Sequence, residues 1–162
     1  LSLSINVLQA ENKVFYIDVD YVLKNTIAGK LLMDTLKKEE ELKIDKFKLN
    51  NDDFKNKENK ILAKKKLISN EEIAKELKLL QLEFQKYRKE KKNEIDKFNL
   101  KKNRNILNFL KLINPIIEKY MIDNSISILL DKKNIFIANK DYEITTNLIK
   151  LIDSQIKNIE IK

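Results

Sequence analysis

The side chains of this chain that could do chemistry are carboxylates, lysines and arginines, because the 162 residues include no His and no Cys. Imidazole acid–base catalysis, His-dependent triads, thiolate nucleophiles, disulfides and imidazole or thiolate metal sites are thereby excluded. The remaining groups are spread along helix-forming stretches, and the single Gly29 cannot build a phosphate-cradling loop. No catalytic residue, cofactor or metal site is expected, and the chain does not read as an enzyme. One cluster does stand out. Lys86, Arg88, Lys89, Lys91, Lys92, Lys97, Lys101, Lys102 and Arg104 face only Glu90, Glu94 and Asp96 over the same stretch. Such a run attracts anionic partners through a long-range field that weakens with salt.

That cluster belongs to a wider imbalance. Residues 37–104 hold 22 Lys and Arg against 14 Asp and Glu, a surplus of eight that equals the net charge of the whole chain. With 36% charged residues but one Gly and one Pro, the chain has few turns and must be built from long elements. No apolar run is long enough to span a membrane as a helix. Residues 1–13 read as a loose extension or as the end of a secretory signal peptide cleaved after Ala10.

The elements that position the charge follow from periodicity. Val14 to Val19 is β-branched and aromatic and predicts a strand. A long amphipathic helix follows, with apolar positions at Ile27, Leu31, Leu32, Leu36, Ile44, Phe47, Phe54 and Ile61, ending in Lys64–Lys66. Ser69 and Glu72 form a capping box, with Ile68 and Ile73 in staple positions, so a second helix starts there and the turn lies at 67–70. Roughly 45 helical residues at about 1.5 Å each would carry that turn about 65–70 Å along the helix axis. The returning helix repeats Ile73, Leu77, Leu80, Phe84 and Tyr87 in coiled-coil steps, passes Lys91 and Glu94, and resumes at Phe98. Its phase then shifts through Ile106, Phe109, Ile113, Ile116 and Tyr120, with Pro115 expected to kink it.

Beyond Met121 the period becomes that of a strand. Ile126, Ile128 and Leu130 alternate with other residues, Asp131–Asn134 supply a turn, and Ile135 to Ala138 form a second run, predicting a hairpin. A final helix starts near Thr145. The predicted fold is α+β: a small body of three short strands (14–36 with 105–157), carrying a long antiparallel coiled-coil arm (37–104). So small a sheet has open edges, which symmetry between chains would close. Val14, Tyr16, Ile126, Ile128, Leu130, Ile135 and Ile137 are the expected body and interface core.

FYIDVDYVLKNTIAGK at 15–30, NPIIEKY at 114–120 and ISILLDKKNIFIANKDYEITTNLIKLI at 126–152 together resemble the Skp/OmpH family of periplasmic chaperones. Glu143 stands where that family more often has Asp. The resemblance implies a trimer with a shared β-barrel body and three helical arms around a cavity. It also implies a periplasmic holdase that works without ATP on unfolded outer-membrane β-barrel proteins, and the absence of a phosphate loop agrees. On that reading Phe47, Phe54, Phe84, Tyr87 and Phe98 offer partly exposed apolar contacts, while the Lys86–Arg104 cluster draws in acidic clients; packing within the hairpin is the competing role for the aromatics. An anionic membrane surface is a further partner for a basic arm. Two other readings stay open: a basic coiled-coil module binding nucleic acid or scaffolding an assembly, and a prefoldin-like cytosolic chaperone. No base-reading motif or stacking platform supports specific nucleic-acid recognition.

Overall fold

The computed structural model describes residues 13–161, so the signal-peptide expectation falls outside the described residues. The chain is mostly helical: β1 (Lys13–Ile17), α1 (Val19–Asn25), α2 (Ile27–Ala63), α3 (Asn70–Asp123), β2 (Ile126–Asp131) and α4 (Thr145–Gln155). Single 3-10 turns lie at Lys64–Lys66, Lys132–Asn134 and Lys140–Tyr142. Two compact units emerge, one formed by residues up to Met33 together with Ile106–Ile161, the other by Asp34–Asn105.

In the first unit the opening strand is shorter than its β-branched run suggests. Asp18, the single residue between strand and helix, accepts a hydrogen bond from the Tyr21 backbone N–H at 2.9 Å and starts α1 at Val19. Thr26 alone joins α1 to α2. Its hydroxyl donates to the Val22 carbonyl at 2.9 Å and accepts from the Gly29 N–H at 3.2 Å, closing one helix and capping the next. The bend is tight enough that a Cβ on Gly29 would fall on the Leu23 carbonyl oxygen and 2.6 Å from the Thr26 hydroxyl. Only a residue without a side chain fits there.

The sheet differs from the hairpin expected. β1 and β2 pair in parallel, Val14 opposite Ile128 through Ile17 opposite Asp131, with an irregularity beside Lys13. On leaving β2, the Asp131 carboxylate accepts from the Lys133 N–H, and the 3-10 turn sends the chain onward instead of back along β2. Ile135–Ala138 therefore joins no ladder, and the described sheet has two strands rather than three. The other edge of β1 is touched by a single bridge to Glu143, where the Ile144 N–H donates to the Tyr16 carbonyl at 3.0 Å.

Helices cover this sheet with one apolar core. Val22, Leu32, Phe109, Ile113, Leu148 and Ile152 are almost wholly buried, and the Ile27 N–H donates to the Asp153 carboxylate at 2.7 Å. Full burial of each such side chain contributes about 1.5–3 kcal/mol. α3 runs unbroken through Pro115 and ends at a left-handed Ser125 (φ 56°), from which β2 departs.

Candidate functional site

The second unit is an antiparallel helical hairpin whose register can be read from its ion pairs. Lys101–Glu39 (2.8 Å), Lys46–Glu94 (3.0 Å), Lys57–Glu83 (3.7 Å) and Lys64–Glu76 (2.8 Å) link rising positions on α2 and the 3-10 turn that follows it to falling positions on α3. All are partly exposed, so each contributes at most about 1 kcal/mol, and their main effect is to fix alignment. The Lys46 ammonium holds the Glu94 carboxyl below its ordinary range by a direct hydrogen bond, against a smaller effect of burial.

At the turn, Glu72 accepts from the Ser69 N–H and hydroxyl, both at 2.9 Å, while the Ser69 hydroxyl accepts from the Glu72 N–H at 3.3 Å. This reciprocal cap starts α3 one residue later and lowers the Glu72 pKa through the Ser69 backbone bond first and the hydroxyl second. Buried or half-buried positions on α3 run Ile73, Leu77, Leu80, Phe84, Tyr87, Lys91, Glu94, Phe98, Lys101 and Asn105. Steps of four and three thus pass through the charged positions without a break, and the phase shift comes only after Asn105. On α2, Leu32, Leu36 and Phe47 are buried while Ile27, Leu31 and Ile44 are exposed.

The five aromatics singled out from sequence all lie at the helix–helix seam. Phe47 and Phe98 are buried rather than open to solvent. Phe54, Phe84 and Tyr87 are half-buried and form one cluster, with ring centroids 5.1 Å apart for Phe54–Phe84 and 5.2 Å for Phe54–Tyr87. The Tyr87 hydroxyl donates to the Phe47 carbonyl at 3.1 Å, and the Lys91 ammonium lies 5.1 Å over the Phe47 ring.

The basic run is not one surface. Lys101 and Lys102 are drawn to Glu39 and Glu40, Lys91 to Phe47, and Lys86 pairs with Glu90, whereas Arg88, Lys89, Lys92 and Arg104 stand exposed. Apolar side chains that the sequence reading passed over are more accessible: Leu42, Leu49, Leu67, Leu79, Leu82 and Leu100 all point to solvent, Leu67 with 82% of its surface open. Their signal was present, since each falls outside the four–three spacing.

No curated protein matches the chain by sequence. A family model described as "Outer membrane protein (OmpH-like)" matches residues 13–152. The chain belongs to the OmpH-like family. OmpH-like proteins are chaperones, not enzymes. Among solved structures, the chain is similar to a protein from Caulobacter crescentus CB15 described as an outer membrane chaperone (OmpH-like), at a TM-score of 0.77 and 17% identity. The match covers 91% of this chain and 87% of that one, and at such identity it speaks to the shared OmpH-like fold.

Of the core residues expected in the OmpH-like body, Tyr16 and Ile126 are buried within the chain. Val14, Ile128, Leu130 and Ile137 are exposed and Ile135 is half-buried, because the ladder partner assumed for Ile135–Ala138 is missing from the described sheet. Phe136 beside them is fully exposed. No helix in the described residues is long and apolar enough to cross a membrane.

Proposed function

We propose that this OmpH-like chain is an ATP-independent holdase of the periplasm that keeps unfolded outer-membrane β-barrel proteins from aggregating. The observation that carries the reading is the family match over residues 13–152. The hairpin supports it, because leucines scattered singly among charges offer many weak apolar contacts and no deep pocket. Weak, distributed contacts suit capture and release of many sequences. The working unit is a homotrimer, in which the uncovered apolar edge at Val14, Ile128, Leu130 and Ile135–Ile137 is closed by neighbouring chains and the arms surround the client. Phe54, Phe84 and Tyr87 form the half-open part of that client surface, and Arg88, Lys89, Lys92 and Arg104 supply its attraction for acidic segments.

The test mixes the purified protein with a urea-diluted outer-membrane β-barrel, and separately with DNA, and reads assembly mass by light scattering after size exclusion. Three chains plus one client, with DNA lost at moderate salt, supports the holdase. Failure to retain the client, with DNA retained, overturns it.

A further inference from the structure

The two flanks of the hairpin are unlike. On one, Leu77, Leu80, Phe54 and Phe84 form the floor of an opening of about 700 Å³. Asn51 and Phe84 also line the adjoining depression of about 260 Å³, which runs on to Tyr87 and Ile95, so the two make one continuous groove. Asn51 is short and leaves the aromatic floor uncovered. On the other flank, Lys57 closes over Phe54 at 5.2 Å and is tied to Asp53 and Glu83.

Charge separates the flanks further. Lys55, Arg88, Lys91 and Lys92 border the groove against Glu58 alone, whereas Asp53, Glu83 and Glu90 outnumber Lys57 and Lys86 on the closed side. Among the described residues no ion pair is formed by Lys55, Arg88 or Lys92. A floor of half-buried rings beside unpaired cations is complementary to an extended polypeptide with aromatic side chains and neighbouring carboxylates.

We propose that this flank of the arm is a docking groove for extended polypeptide segments in which aromatic residues are flanked by acidic ones. The inference rests on the holdase reading and names which part of a client binds and where. Arg88 and Lys92 meet the carboxylates, and the rings enter above Phe54 and Phe84 at the gap left by Asn51.

The chain has no Trp, so emission from a short peptide of alternating Trp and Asp reports the probe alone. Titrated into the full chain, it should bind at least tenfold more weakly to an Arg88→Glu/Lys92→Glu variant and less than threefold more weakly to Lys38→Glu/Lys75→Glu, which changes charge equally at exposed positions outside the groove. Asn51→Leu fills the gap and should also weaken binding severalfold without lowering the melting temperature. The same peptide with Lys in place of Asp should not bind. Equal losses in the two charge variants, full binding by Asn51→Leu, equal binding of the Lys peptide, or no binding of the Asp peptide would each overturn the groove. Capture of an unfolded outer-membrane protein by the same variants separates the two readings: undiminished capture removes the groove and leaves the holdase, while no capture by the parent chain removes the holdase.

Discussion

Replacing Gly29 by Ala sets two opposed effects against each other within one helical turn. In an exposed helix the change would stabilise by about 0.5–1 kcal/mol, because Ala loses less backbone entropy. Here the new methyl would fall on the Leu23 carbonyl oxygen and within 2.6 Å of the Thr26 hydroxyl. The obstructing atom is backbone, and Leu23 and Val22 are buried, so relief requires moving α1. That shift breaks the two bonds of the Thr26 hydroxyl, each worth about 1 kcal/mol, and threatens to leave a buried group unpaired at about 1–3 kcal/mol. Net destabilisation of about 2–4 kcal/mol is expected. Urea unfolding followed by far-ultraviolet circular dichroism, at fixed protein concentration because assembly would shift the midpoint, measures it. Exposed Lys30→Ala is the control and should change stability by under about 0.5 kcal/mol. A Gly29→Ala protein as stable as the parent would show that the α1–α2 bend is not held as described.

Three further outcomes follow from particular contacts. Ser69→Ala removes the two cap bonds made by the hydroxyl and should cost about 1 kcal/mol locally, seen as faster hydrogen exchange at Glu71–Ile73. The Glu72 carboxyl is lowered in the fold, so its contribution is fully present above the ordinary glutamate range and is lost as pH falls through the lowered value; acidification should fray the start of α3 in the parent and less so in Ser69→Ala, which keeps the backbone bond from residue 69. Ser125→Gly relieves a left-handed backbone and should stabilise by about 1 kcal/mol, raising the urea midpoint. A double-mutant cycle between Phe54→Ala and Phe84→Ala should give a coupling of about 0.5–1.5 kcal/mol; a value near zero would mean the rings do not meet in solution.

Much of the helical part was legible because its signals are local. Four residues, Ser69 to Glu72, suffice to mark the start of α3, and Ile73 to Tyr87 carry their spacing openly. Charged seam positions were harder to read. Lys91, Glu94 and Lys101 look like interruptions until their partners Phe47, Lys46 and Glu39 on the other helix are known. The sheet was misread for a similar reason. Asp131–Asn134 has the composition of a hairpin turn, and nothing within that stretch reveals that β2 lies beside β1, far away in sequence. Exposure of the aromatics was equally hidden, because seam spacing fixes which way Phe54 and Phe84 point but not how well short Asn51 covers them.

The parallel pairing of β1 with β2 has a consequence for how the protein comes into being. Lys13 opposes Ile126, so 113 residues must be made after the first partner appears before the second exists. At about 5–20 residues per second, β1 waits about 6–23 s with no strand to join. Closing so long a loop in a flexible chain is slow and entropically costly. The hairpin between them shortens it, since α2 and α3 fold from neighbouring sequence and return the chain without any sheet contact. A sheet that needs β2 cannot form on a chain whose synthesis has not yet reached Asp131.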